Sequence, residues 1–518
     1  MATRDDPPER REVSANRWRL VPYGLTGIVL ALQIGTILVL NEGRLTYTLD
    51  DAYIHLAVSE SLASGHYGIE PSVVSAPSSS ILWPFLLAFG APFGWHVAWP
   101  LVLNLAAVGA ALALLAKILR TSGVERSANG APFAAGLLTL LALGLNLTGL
   151  ALTGMEHSLQ VALALTVIVG MIAVARGAPP PTWLWLAIVA GPLVRYENAA
   201  LTVAALLWLA LRGHRRMAGL AGLACGALLG LFSGFLMQHG LEPLPGPVME
   251  SFGTGGGDRL RSLLIVLPAR ILAILTGALV ATALLLRRDR TLLLCGALVP
   301  VLHLAFGSSR GFARYEIYAL ASVVALLIYG LRRPLGELVA TRGAVVSLLV
   351  VGAVLTPVLA SYPAIAYRSP RAAHNIFQQH EQMHRFVTAY YRQPVAVNDL
   401  GRVTFDNPNE VLDLWGLSSA EVRRARANRD PQWPGVFVEQ RGIELAMLYE
   451  SWFTDRIPPT WRRIAVLRLH GKRVTPSSSE VSFYLTRPGP AEVVMAAMRR
   501  FRDDLPSDVT LEIEPSIE

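Results

Sequence analysis

Apolar residues in this chain gather in long runs rather than in the short periodic stretches of a soluble domain. Runs over 21–40, 96–117, 131–147, 157–175, 182–194, 198–211, 217–237, 263–286, 291–306, 315–331 and 343–360 reach or approach the roughly 20 residues a helix needs to cross a bilayer core. They predict about eleven membrane helices. The stretch 79–93 is apolar too, but Pro84 and Pro92 break it, and it reads as a re-entrant or interfacial helix. After residue 360 the pattern changes. A helical period over 374–392 is followed by strand-like 395–398 and 411–414, then by polar helices over 420–429 and 439–449. Strands near 464–469 and 480–486, a helix over 490–502 and a strand near 509–513 complete the chain. Such alternation predicts an α/β domain with a small sheet. The expected fold is a polytopic α-helical membrane protein with a C-terminal extracytoplasmic α/β domain: an N-terminal tail to residue 20, a membrane body over 21–360 and a soluble domain over 361–518.

Composition sharpens this picture. Hydrophobic residues make up 53% and charged residues 16%, where soluble domains carry about 25% charge. A disordered chain, a basic nucleic-acid-binding protein and an ordinary cytosolic enzyme are excluded. Charge is also uneven: residues 361–518 hold 20 Lys/Arg of 45 and 19 Asp/Glu of 37 in under a third of the length. All but one unit of the net charge of +8 therefore sits in the body. Alternate loops there (1–20, 117–130, 176–181, 212–216, 287–290 and 332–342) carry 18 Lys/Arg against 7 Asp/Glu, and the opposite set carries 7 against 11. The positive-inside rule then places the N-terminus in the cytoplasm and, after eleven spans, the tail outside. The first run lacks a small-residue cleavage pattern and reads as a retained span rather than a signal peptide. Cys225 and Cys295 both lie in apolar runs and read as buried hydrophobes, not as a disulfide or metal framework.

This topology puts loop 41–95 on the outer face, together with the chemistry-bearing loops. The first loop contains Asp50 and Asp51 side by side. Two carboxylates so close to a span are costly unless paired, hydrated or used. The segment 51–64 has the spacing of a helix lying along the interface, including His55. Capping that helix would occupy one acid and leave the other without a role. A helix starting at Asp51 would turn Asp51 to the interface or its own first turn. Asp50, in extended chain, would point across to the outer ends of later spans.

Other outer segments carry charge at the ends of apolar runs: Glu156-His157, Arg195-Tyr196-Glu197, and Arg310 and Arg314 with Tyr315. Glu156 also suits a helix N-terminus, and Arg195 and Glu197 suit a local ion pair. Two arginines beside Gly307-Ser308-Ser309 suit a phosphate, which guanidinium binds bidentately, or equally lipid headgroups. The Pro/Gly-rich segment 238–262 reads as a mobile loop ending in Arg259 and Arg261, either a lid or a spacer. There is no metal signature: His374, His380 and His384 lack the spacing of a zinc helix, although a divalent cation is compatible with the acids. No nucleotide-binding loop or nucleophile elbow stands in a suitable context.

The order of these motifs resembles the GT-C superfamily of membrane glycosyltransferases. Leu49-Asp50-Asp51-Ala52-Tyr53-Ile54, Gly65-His66-Tyr67-Gly68 and Ser78-Ser79-Ser80-Ile81-Leu82-Trp83 look most like the bacterial branch near the mycobacterial arabinofuranosyltransferases. In the tail, 395–401 (Val-Ala-Val-Asn-Asp-Leu-Gly) and 411–417 (Val-Leu-Asp-Leu-Trp-Gly-Leu) look like that branch too. The resemblance implies a polyprenyl-phosphate-linked sugar donor and a glycan or glycolipid acceptor outside the cytoplasm of a bacterial inner membrane. It also implies an aspartate base at Asp50 or Asp51, and the orientations expected for the pair favour Asp50. Physical chemistry makes matching demands. Single displacement at a sugar needs a base at the acceptor oxygen and charge neutralisation on the departing phosphate. Outside the cytoplasm nucleotide sugars are absent, so the donor is lipid-borne. Arg310, Arg314, Arg259 and Arg261 are the donor-phosphate candidates; His55, Glu156, His157, Arg195, Glu197 and Tyr315 are the substrate-binding candidates.

Three other readings compete. A transporter or flippase of lipid-linked saccharides predicts internal repeats and charges within helices, whereas the acids here cluster at outer ends. A polysaccharide polymerase or ligase predicts a large outer loop late in the body. A scaffold explains the tail but not the loop acids.

Overall fold

A computed structural model describes residues 8–70, 73–127, 129–252, 266–287, 289–308, 311–428, 431–487 and 491–514. All eleven apolar runs are mostly helical across their described residues, with breaks at 145–146, 315–316, 331 and 355. Six helices are long and apolar enough to cross a membrane by length and composition: Arg17–Leu40, His96–Thr121, His157–Ala175, Arg215–Gln238, Leu267–Leu286 and Arg332–Val354. Five shorter apolar helices accompany them, Gly130–Gly144, Thr182–Val194, Tyr196–Leu211, Arg290–Phe306 and Ile317–Gly330. Only 17% of the apolar window in Arg215–Gln238 and 11% of that in Arg332–Val354 is buried by protein. Surfaces this apolar need lipid as solvent, and the chain is a multi-pass membrane protein. Arg332–Val354 is interrupted at Gly343 (φ 77°, ψ 174°), which is where the last predicted run begins.

Helix Ile317–Gly330 is buried along nearly its whole length and forms the axis of the body. The turn that feeds its N-terminus carries Arg314, Tyr315 and Glu316. The first loop holds two short helices. Leu82–Ala88 accounts for the proline-broken apolar stretch. Asp51–Ala63 starts where the sequence placed it, but it does not lie on an interface: Ala52 through Ser59 are all buried. Its apolar residues join one core with the tail, including Phe386, Val397, Met447 and Phe483. The two-sided burial explains why its apolar positions are too many for a single stripe.

The tail grows out of the body without a break. Helix Thr356–Ile376 continues through π-helical turns at Phe377–Glu381 and Phe386–Tyr391. Six strands follow: β1 Val395–Val397, β2 Val411–Asp413, β3 Leu445–Leu448, β4 Arg462–Leu469, β5 Glu480–Leu485 and β6 Val509–Ile513. Their order is β2-β1-β3-β5-β4-β6; the first three are parallel and the rest antiparallel. The π-helical segment and helix Ala491–Asp503 cover one face through Phe386, Phe483 and Phe501. Helices Ala420–Ala427 and Trp433–Gln440 cover the other, with Val422, Trp433 and Val438 in the core.

One predicted element is corrected. Residues 439–449, expected as a polar helix, comprise the end of helix Trp433–Gln440, a turn at Gly442 and strand β3. Leu445–Leu448 is buried on both faces, and a short apolar run of this kind has no period that separates strand from helix.

Candidate functional site

Between the first loop, the turns that open the later apolar helices and the tail's sheet lies a cavity of about 780 Å³. Its body wall is built of acids and arginines. Asp51, the first residue of its helix, is 39% exposed, and its Oδ2 accepts from Arg314 Nη2 at 2.5 Å. Arg314 is 7% exposed; its Nη2 also donates to the Tyr315 hydroxyl (2.8 Å), and its Nε has no partner among the described residues. Arg195 donates through Nη1 to Glu156 (2.9 Å) and Ser79 Oγ (2.8 Å), and through Nε and Nη2 to Glu197 (3.0 and 2.6 Å). Both guanidinium groups lie against the Tyr315 ring, at 5.1 and 4.8 Å from its centroid, a cation–π arrangement that holds two cations close together. Burial alone would weaken their charge, but Tyr315 and Asp51 at Arg314, and Glu197 and Glu156 at Arg195, outweigh it and hold both pKa values above the ordinary one. His55 Nδ1 lies 2.9 Å from Ser78 Oγ and Nε2 3.4 Å from Glu156; burial lowers its pKa against the pull of Glu156. Glu156 and His157 are fully buried behind this wall, the His157 ring 5.5 Å from that of Tyr315. Gly154 sets their approach. It has φ 70°, and a Cβ there would stand 2.7 Å from the Tyr47 ring.

Asp50 faces the other way. It is 6% exposed, and its two oxygens accept from the backbone amides of Gly401 and Arg402, each at 2.7 Å. These amides open the short tail helix Gly401–Thr404. His380, from the first π-helical turn, lies 3.0 Å from Asp399, and the Tyr449 hydroxyl lies 3.2 Å from His380 Nε2. Burial pushes the Asp50 carboxyl up to about 7 against the pull of His380, with Asp399 and Asp51 adding to the rise. Burial would hold His380 down, yet Asp50 and Asp399 raise it to about 9. Burial would raise Asp399 as well, but the charge and hydrogen bond of His380 keep it below its ordinary value. Ligand atoms of Asp50, His380 and Asp399 lie within 4.8 Å of one another, close enough to share one cation once His380 has given up its proton.

The orientation expected for the acid pair is therefore exchanged. Asp51 reaches across to the turn before Ile317–Gly330, and Asp50 fastens the first loop to the tail. The reason is the tail itself, whose helix N-terminus attracts the carboxylate that follows the extended segment. Asp50, Asp51, His55, Arg195, Glu197, Arg314 and Tyr315 all border the cavity. Arg310, Arg259 and Arg261 lie outside the described residues, as does the end of the predicted loop 238–262. Its earlier part holds helix Gly246–Phe252, whose Pro247, Val248 and Glu250 border the cavity. Ser79, His380, Asn398, Asp399, Trp415 and Trp452 also border it and were not among the expected site residues. One signal was available: 398–399, 414–416 and 449–452 directly follow the carboxyl ends of parallel strands, the usual place for function in such sheets.

Residues 372–484 match a family described as a domain of unknown function, DUF8728. No curated protein matches the chain by sequence. Among solved structures, the chain is similar to the Archaeoglobus fulgidus oligosaccharyltransferase, at 12% identity and a TM-score of 0.46, over 82% of this chain and 69% of that one. It is also similar to ArnT from Cupriavidus metallidurans bound to undecaprenyl phosphate (13%, 0.46, 89% and 98%) and to the mycobacterial arabinofuranosyltransferase AftD (13%, 0.43, 90% and 42%).

Proposed function

We propose that this chain is a membrane glycosyltransferase. It moves a sugar from a polyprenyl-phosphate donor to a glycan or glycolipid acceptor on the outer face of a bacterial cytoplasmic membrane. One observation carries the reading: an accessible carboxylate, Asp51, lies against a buried arginine, Arg314, whose Nε is unpartnered, in a cavity that also meets exposed apolar helix surface. A buried unpaired guanidinium donor is costly to leave without an acceptor, and a donor phosphate supplies one. Val203 and Phe306, both bordering the cavity and both more than half exposed, give a lipid-borne donor its route.

Asp51 takes the proton of the acceptor hydroxyl as that oxygen bonds to the anomeric carbon. The bond from that carbon to the phosphate oxygen breaks, and polyprenyl phosphate departs with the electron pair and one more negative charge. Arg314 and the Arg195 network face that charge in a low-dielectric setting, where fixed cations act most strongly. Asp50 positions Asp51 by fixing the start of its helix.

Purified protein given a panel of polyprenyl-phosphate sugars is expected to release polyprenyl phosphate from one of them, slowly to water and faster with acceptor. Arg314→Ala is expected to lower turnover and weaken donor use while the protein still folds. Release at equal rate in wild type and Arg314→Ala, or from no donor, overturns the reading.

A further inference from the structure

The tail's wall of the cavity differs from the body's wall, and the reaction above leaves it unused. Strand β1 stands between β2 and β3; the chain passes from β1 to β2 on one side and then crosses to β3 on the other. Such a reversal opens a crevice beyond the carboxyl ends of the strands, where α/β sheets bind ligands. Three segments leave the strands there. Asn398 follows β1, Trp415 follows β2 and Trp452 follows β3, and all three border the cavity. The two indoles stand 4.3 Å apart between ring centroids at 45°, packed on the core of Trp433 and Phe453 and each half-buried; the Arg426 guanidinium lies over the Trp415 ring, 3.9 Å from its centroid, so the area left open is the rest of Trp415 and Trp452. Among the described residues neither indole N–H has a hydrogen-bond partner. Asp413 fixes the Trp415 turn by accepting from the amides of Trp415, Gly416 and Ser418 at 2.8, 3.0 and 2.7 Å. Asn398 is 2% exposed. Its Oδ1 accepts from the Tyr449 amide at 2.7 Å, while its Nδ2 is buried without a partner among the described residues.

We infer that this wall is a saccharide-binding subsite for the acceptor, with Trp415 and Trp452 as its apolar surface and Asn398 Nδ2 as its polar anchor. The inference rests on the transferase reading for the word acceptor, but not for binding itself. Sugar rings present apolar C–H faces bordered by hydroxyls, and this wall offers the complement: rigid aromatic area beside unpaired donors. A lipid chain would leave the Asn398 donor and both indole N–H groups unsatisfied. The apolar body side of the cavity serves a lipid without that cost.

Linear hexasaccharides of glucose, mannose and arabinofuranose, titrated separately into the full-length protein in detergent by saturation-transfer NMR, test this directly. Saturable binding of at least one is expected. Trp415→Leu and Trp452→Leu are expected to weaken it roughly tenfold each, about the loss of one aromatic contact, and Trp452→Phe much less. Should Trp415→Leu fail to fold, the Trp452 pair decides. No saturable binding to any of the three, or binding unchanged by Trp452→Leu, overturns the inference. Donor release measured on the same wild-type sample separates the two readings. Release without saccharide binding sinks only the subsite, and saccharide binding without release from any donor keeps the subsite and sinks the transferase.

Discussion

At the residue scale the adjacent acids Asp50 and Asp51 divide their work by direction. Asp51 is open to the cavity and paired with Arg314; Asp50 is buried and takes two tail amides. Removing a general base costs about 10²–10⁴-fold in rate, whereas a carboxylate that fastens two elements acts through stability. Asp51→Asn is therefore expected to lose transfer by that factor while melting like wild type. Asp50→Asn is expected to melt lower and lose less activity per folded molecule. Rates and melting temperatures on the same preparations check both, and full activity in Asp51→Asn removes it as the base. The reverse ranking moves the role by one residue. The sequence made the pair legible, because two acids beside a span demand an explanation. It did not make their directions legible. Those depend on the Gly401 and Arg402 amides, some 350 residues later, and no local pattern encodes that contact. Arg195 and Glu197 were legible as a pair; that the pair shares Tyr315 with Arg314 was not.

At the element scale, two short pieces hold the tail to the first loop. Helix Gly401–Thr404 comes close enough to Asp50 only because residue 401 is glycine: a Cβ there would stand 2.2 Å from the Asp50 carbonyl oxygen and 2.6 Å from Oδ2. Gly401→Ala is expected to cost about 1–3 kcal/mol, as forced overpacking does, and to expose the junction to protease. Gly336→Ala, with open space around it, is the control, and equal melting of the two variants contradicts the packing argument. The second piece is the α-helical stretch Gln382–Arg385 between the two π-helical turns, which carries His384. Burial, with the Arg402 charge adding, pulls this imidazole down to about 4. Between the ordinary value of about 6.5 and 4 the unfolded chain takes up a proton that the folded chain refuses. The stability that depends on His384 is thus intact above pH 6.5 and falls as the pH drops through that window, by up to roughly 3 kcal/mol. His384→Gln is expected to flatten this fall, read as a smaller loss of melting temperature between pH 7 and 4.5; an identical loss in both proteins refutes it. Elements were the most legible level of the fold. Every long apolar run became a helix, since length and apolarity suffice for that. The exceptions, β3 within 439–449 and the buried helix Asp51–Ala63, are elements whose surroundings come from distant chain.

At the scale of the whole molecule, the function turns on which side of the membrane the cavity opens. The basic loops at 117–130, 212–216 and 332–342 argue that they stay in the cytoplasm. The cavity and the tail belong to the opposite set of helix ends. In a background with Cys225 and Cys295 replaced by alanine, single cysteines at Thr454 and His214 give a direct measurement. A membrane-impermeant maleimide added to intact cells is expected to label residue 454 and to reach residue 214 only after lysis. This outcome leaves the cavity without access to nucleotide sugars, and the donor must then arrive through the bilayer, past Val203 and Phe306 to Arg314. Labelling of 214 but not 454 on intact cells turns the molecule over. The cavity would then open to the cytoplasm, where a nucleotide sugar competes as donor and the need for a lipid route disappears.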